Sequence, residues 1–187
     1  MTPLKGDEIR LLVLDKSEPA PVYTLVHVSL ASAPVFYALS YAWTDQSLFE
    51  ESEPAQKDHI QLDGRETVVG SNLFAALHAL CSHGFSHIPL WVDFLCIDQQ
   101  NIVERNHQVL RMYSIYGKAA LVTVWLGSEI HDSHLAFEFM RIFAKEAKDP
   151  HWVRRTIREH TFSREWHAVD HLLHRNWWRR LWIIQEM

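Results

Sequence analysis

The side chains best placed to do chemistry in this sequence are carboxylates set among aromatic and apolar neighbours. Asp93 stands inside the run LWVDFLCI (Leu90 to Ile97), where an ionised group has to be paired, hydrogen-bonded or shifted in pKa. Its ordinary role there would be a cap on backbone amides or a partner for an arginine such as Arg105 or Arg180. Asp45 follows the run VFYALSYAW, and a solvated loop acid is the plain alternative. Glu104 lies three residues after Asn101, the spacing of a capping box, which explains it as readily as catalysis does. Glu186 follows Trp182 by one helical turn, so a carboxylate and an indole share a face, although exposure is the default for Glu. A carboxylate held beside a reacting carbon stabilises developing positive charge more than it stabilises the ground state.

The histidines offer a second chemistry. His167, His171 and His174 recur at i, i+4 and i+7, a spacing that can hold a metal ion. Trp166, Val169, Leu172 and Leu173 claim the opposite side of that helix, so the three imidazoles read better as a solvated face. His78, His83 and His87 spread over a helix end and a loop and make a weaker set. Several sharp motifs are missing. The chain has no GxGxxG, no GxxxxGK[ST] and no GxSxG, which removes the dinucleotide fingerprint, the phosphate loop and the nucleophile elbow. Cys81 and Cys96 are isolated, without a CxxC partner for zinc, and are expected to be free thiols in a reducing cytosol.

The elements that must position these groups run from Leu90 to Gly127. An apolar run, the polar turn DQQ, the amphipathic segment NIVERNHQVLRMYSIYGKAA and the run LVTVWLG read as strand, loop, helix and strand. That order predicts a parallel βαβ unit, with Asp93, Asp98 and Gln99 near the carboxyl ends of the strands, where such sheets bind ligands. The helix stripe expected to be buried is Ile102, Val109, Met112 and Tyr116. Upstream, Ile9 to Leu14 and Val22 to Leu30 predict two strands near an edge, and Val35 to Trp43 predicts a central one. Thr44 to Asp58 is acidic and aperiodic, which predicts a loop. Asp63-Gly64 between short apolar runs predicts a hairpin, and Ser71 predicts the cap of a helix burying Leu73, Ala76, Leu77 and Leu80. Later helices are marked by Leu135, Phe139, Ile142 and Phe143, and by Trp166 to Leu173. The ending RNWWRRLWIIQEM carries no stop signal and reads as cut in mid-structure.

Composition sets the class. At 187 residues, 48% hydrophobic and 22% charged, the chain suits one globular domain, 1–187. A net charge of −5 leaves no overall basic footprint for nucleic acid or an anionic membrane. The opening MTPLKGDEIRLLVLD is too charged for a signal peptide or a membrane span.

Four blocks in order carry a family likeness: YALSYAW (Tyr37 to Trp43), IQLDG with VVGSNLFAAL (Ile60 to Leu77), the stretch Leu90 to Gly127, and WWRRLWIIQEM (Trp177 to Met187). Together they resemble the heterokaryon incompatibility (HET) domain of filamentous fungi, with Thr44 where that family usually has Gly and Asp98 where it usually has Asn. The resemblance implies the N-terminal part of a longer cytoplasmic protein that triggers cell death in self/non-self recognition. It implies partners among other incompatibility or NLR-type signalling proteins and self-association on activation, with no nucleic acid and no membrane.

HET domains are in turn similar to TIR domains, which have a flavodoxin-like sheet and in several branches cleave NAD. That comparison implies an α/β fold in three layers, with a mostly parallel central sheet, an added hairpin and extra C-terminal helices. ALSYAWTD is similar to the first-strand block of TIR domains, and WWRRLWIIQE to the helix that bears the glutamate of NAD-cleaving members. By that likeness Glu186 is the implied catalytic acid, while Ser40, Tyr41, Trp43, Asp45 and Trp182, together with Asp93, Asp98 and Gln99 at the strand ends, are the expected substrate contacts. No cofactor is implied, NAD or a related nucleotide being the substrate. The competing expectation is an adaptor without enzymatic activity, anchored by Trp177, Trp178 and Trp182 among Arg175, Arg179 and Arg180.

Overall fold

A computed structural model describes residues 1–15, 21–43, 57–130, 132–158 and 162–180. Its centre is a seven-stranded sheet with strands β1 (Glu8–Asp15), β2 (Val22–Ser29), β3 (Tyr37–Tyr41), β4 (Lys57–Leu62), β5 (Arg65–Gly70), β6 (Leu90–Trp91) and β7 (Leu121–Trp125), in the order β5-β4-β2-β1-β6-β3-β7. The class is α/β, as expected. The sheet is mixed: β3 is parallel to both β6 and β7, β2 is parallel to β4, and the other three pairings are antiparallel. The parallel trio occupies one side, where the expected βαβ unit forms with a difference. β6 and β7 run the same way, but β3 lies between them and pairs with each.

Local chemistry accounts for the elements. Asp63 and Gly64 both have positive φ, 51° and 71°, so the β4–β5 connection is a two-residue turn whose twist suits the hairpin. The hairpin docks on β2 through β4, which moves the β1–β2 pair from its expected edge position to mid-sheet. Helix α1 (Ser71–Ser82) begins at Ser71 itself. Gly70 takes the cap position without a side-chain bond, so the expected Ser71 cap is absent, while Leu73, Ala76 and Leu77 are buried as predicted. Helix α3 (Ile102–Lys118) buries Glu104, Gln108, Met112, Ile115 and Tyr116. Ile102, expected inside, is 62% exposed, because the burial centre is turned toward the Glu104 side by an ion pair described below.

Layering follows from neighbouring residues of one strand. Leu90 lines an apolar recess with Leu77 and Leu80 of α1, whereas the adjacent Trp91 meets Tyr116 of α3 edge-on with centroids 5.2 Å apart. Successive strand residues point to opposite faces, so α1 and α3 cover opposite sides of the sheet. The core between them includes Leu11, Leu12, Ala38, Leu39, Tyr41 and Trp91. Each such large apolar side chain, taken out of water, contributes roughly 1.5–3 kcal/mol.

After β7 a second cluster forms from Ala136 and Phe139 of α4 (Ser133–Glu146) and Ala168, Val169 and Leu172 of α6 (Ser163–Leu173). Trp166 and Leu173, expected in that core, are 39% and 51% exposed. Between them runs α5 (Pro150–Arg158), an element the periodicity did not announce. No described helix is long and apolar enough to cross a membrane.

Candidate functional site

The expected strand LWVDFLCI stops after two residues. Beyond Val92 the chain turns into α2 (Asp93–Cys96), with the amides of Leu95 and Cys96 donating to the Val92 carbonyl. Asp93 therefore opens a helical turn, where a carboxylate suits the exposed amides, instead of sitting in a strand interior. Its Oδ1 accepts from the Phe94 amide at 2.6 Å, and its Oδ2 accepts from the Trp43 indole Nε1 at 3.0 Å. The capping expectation for Asp93 is thus met in part, with an indole as its second donor.

Around that carboxylate the ends of β3 and β6 converge. Tyr41, the last residue of β3, is buried, and its phenol is pushed well above 10, first by burial and then by the charge of Asp93, with Arg180 opposing. Trp43 is half-exposed and sets its ring edge-on against Phe94 at 5.6 Å. Gln99 reaches back, its Nε2 donating to the Asp93 carbonyl at 3.0 Å. Ser40, fully buried on β3, accepts at Oγ from Trp177 Nε1 at 2.7 Å and lies 3.4 Å from Arg180 Nη1. The structure so brings Ser40, Tyr41, Trp43, Asp93 and Gln99 to one rim.

Asp98 faces elsewhere. Its Oδ1 caps the Gln100 amide, its Oδ2 lies 4.0 Å from the N-terminal ammonium, and its own amide donates to Glu104. Asp45, Trp182 and Glu186 lie outside the described residues.

Asn72, which sequence reasoning passed over, and Arg175, read there only as part of an adaptor patch, tie the strand ends together. Asn72, on the first turn of α1, donates from Nδ2 to the Ala42 carbonyl at 2.7 Å and accepts from Trp125 Nε1 at 2.7 Å, tying the ends of β3 and β7 together. Arg175 donates to the carbonyls of Leu126 and Gly127 and to Ser133 Oγ, holding the chain after α6 against the exit of β7. Trp177, read as a possible surface anchor, is 3% exposed and is a core residue, while Trp178 is 44% exposed.

Under the rim lies a buried ion pair. Arg10 of β1 meets both oxygens of Glu104, at 2.6 and 3.0 Å, and donates to the carbonyls of Cys96 and Thr2. The Asn101–Glu104 capping box forms only by half. Asn101 Oδ1 accepts the Glu104 amide, but the Glu104 carboxylate turns to Arg10 and the Asp98 amide. An arginine inside the apolar strand EIRLLVLD was the available signal, since a buried guanidinium needs an acid. Burial alone would raise the Glu104 carboxyl, but the Arg10 hydrogen bonds and the Asp98 amide outweigh it and hold the group below its usual 4.5.

Among the described residues no group of three His, Cys, Asp or Glu side chains is arranged to hold a metal ion. His174 Nδ1 contacts the Asp170 carbonyl at 2.8 Å and its carboxylate at 3.4 Å. Cys81 and Cys96 are free thiols.

Residues 36–186 match the family described as Heterokaryon incompatibility protein (HET). The chain is 31% identical to "Heterokaryon incompatibility protein 6, OR allele" of Neurospora crassa over 218 aligned positions, which cover 95% of this chain and 31% of the relative. It thus spans about a third of that relative's length. No solved structure matches it.

Proposed function

We propose, because this chain belongs to the heterokaryon incompatibility (HET) family, that it is a signalling domain of fungal non-self recognition that acts in the cytoplasm by cleaving NAD or a related nucleotide. The observation that carries the reading is the rim of Tyr41, Trp43 and Asp93 at the carboxyl ends of parallel strands, with Arg180 beside Ser40. In this reading the half-exposed Trp43 ring stacks on a base or nicotinamide, Arg180 faces the phosphates, and Asp93 keeps Trp43 in place.

The reaction follows from the leaving group. The bond between ribose C1′ and the nicotinamide nitrogen breaks with its electron pair going to nicotinamide, which leaves neutral. The ribose becomes an oxocarbenium-like cation, and Glu186 is assigned to stabilise it. Water then adds to C1′ and releases a proton, giving ADP-ribose. The test is nicotinamide release from NAD by purified protein, alone and under forced clustering. Activity that disappears in Glu186→Gln, with the fold intact, is the expected result; a flat time course under both conditions, or an unchanged Glu186→Gln, overturns it.

A second reading, an adaptor that works by self-association, is favoured by the outer face of α3. Val103, Leu110 and Tyr113 are 80%, 85% and 72% exposed there, and the neighbours on that face, Asn106, His107, Ser114 and Gly117, include no Lys, Arg, Asp or Glu. A surface helix normally turns charge to water, so this stripe suits a second copy of the chain. Leu110→Glu with Tyr113→Glu should abolish any concentration-dependent increase in sedimentation coefficient. Persistence of that increase in the double variant counts against the face.

A further inference from the structure

Away from the strand-end rim, α5 and the turn before it line a half-open hollow of about 520 Å³ formed by Asp149, His151, Trp152, Arg154, Arg155 and Arg158. Its size falls within the roughly 300–1,000 Å³ of small-ligand sites. Charge is concentrated here against the trend of the chain. Six of the eighteen basic residues but only two of the twenty-three acidic ones lie between positions 141 and 158, so this stretch carries +4 while the remainder carries −9.

Arg154, Arg155 and Arg158 are exposed, and none of them has a carboxylate partner among the described residues. Among the described residues the acid lining the cavity is Asp149, and it is engaged: its Oδ1 accepts the His151 amide at 2.8 Å at the start of α5. Three guanidiniums crowded on one short helix repel one another, and an anion between them relieves that repulsion through charge-assisted, bidentate bonds.

Trp152 narrows the ligand class. Its ring is braced by Phe143, edge-on at 5.5 Å, and by Phe162 at 6.3 Å, which makes it a rigid aromatic wall of the same cavity. A rigid aromatic beside several guanidiniums matches a ligand with a flat base and a multiply charged phosphate tail. A concave site suits such a small molecule better than it suits a flat lipid surface or a nucleic-acid duplex.

We propose that this cavity is a second binding site for a nucleoside polyphosphate, with Arg155 and Arg158 holding phosphates and Trp152 stacking on the base. Calorimetric titration with ATP, tripolyphosphate and adenosine at low and high salt tests it. ATP binds tightest, tripolyphosphate binds with a steeper salt dependence, and adenosine binds weakest. Arg155→Glu with Arg158→Glu weakens ATP and tripolyphosphate about tenfold or more, while the equal charge change Lys57→Glu with Arg65→Glu, on the far hairpin, does not. Trp152→Leu weakens ATP but not tripolyphosphate. No ATP binding at low salt overturns the proposal, as does binding unchanged by the Arg155 and Arg158 reversals, which would place the nucleotide at the strand-end rim.

Discussion

The indole of Trp43 donates to the Asp93 carboxylate at 3.0 Å, joining the exit of β3 to the exit of β6, its parallel neighbour. A half-exposed aromatic is thereby fixed by an acid 50 residues away in sequence. Asp93→Asn keeps the shape but removes the charge, and with it one cause of the raised Tyr41 phenol. The Tyr41 pKa is expected to fall yet stay above 10, because burial, the larger cause, remains. Phenolate absorbance in a pH titration, compared with Tyr41→Phe to assign the signal, measures it. An unchanged Tyr41 titration would mean that the carboxylate does not act on the phenol.

Breaking the Arg10–Glu104 pair should be severe. Both side chains are buried, so Glu104→Leu strands a guanidinium and is expected to cost about 3–5 kcal/mol. Arg10→Met combined with Glu104→Leu should recover most of that loss, since no charge is then left unpaired. Urea midpoints of the two single variants and the double variant decide it, a double variant no better than its parents being the contrary result.

The same pair predicts acid sensitivity. Glu104 titrates below 4.5 in the folded chain, so the unfolded chain binds that proton more readily. Its contribution is therefore complete above pH 4.5 and is lost as pH falls through the lower, folded value. Melting temperatures recorded from pH 7 to pH 3 should drop in the acid limb for the wild type, and less steeply for Glu104→Gln.

The two thiols should differ in reactivity. Cys96 is buried, and burial pushes its thiol up to about 12, whereas Cys81 is only half-buried. Alkylation of the native protein at pH 8 is expected to label Cys81 first and to reach Cys96 only with unfolding. Peptide mass mapping over a time course checks the order, and labelling of Cys96 before Cys81 is the contrary result.

On β7, the Thr123 hydroxyl is buried with no hydrogen-bond partner among the described residues. Thr123→Val keeps the shape and removes the unmatched group, which should stabilise the fold by about 1 kcal/mol. A lowered urea midpoint in this variant would argue for a partner at Thr123.

Much of this molecule was legible one segment at a time. Asp63-Gly64 dictates its hairpin because two adjacent residues must take positive φ, and α1 buries the stripe its 3.6-residue period marks. The four family blocks are likewise a property of the chain in order, and the match over residues 36–186 agrees with them. What tertiary structure alone decided is who meets whom: β3 threaded between β6 and β7, Trp43 on Asp93, and Arg10 on Glu104, 94 residues apart. Periodicity reports only which face of an element avoids water. A buried polar group takes whichever distant partner the packing supplies, and that choice turned Asp93 out of a strand and swung Glu104 from its cap to Arg10.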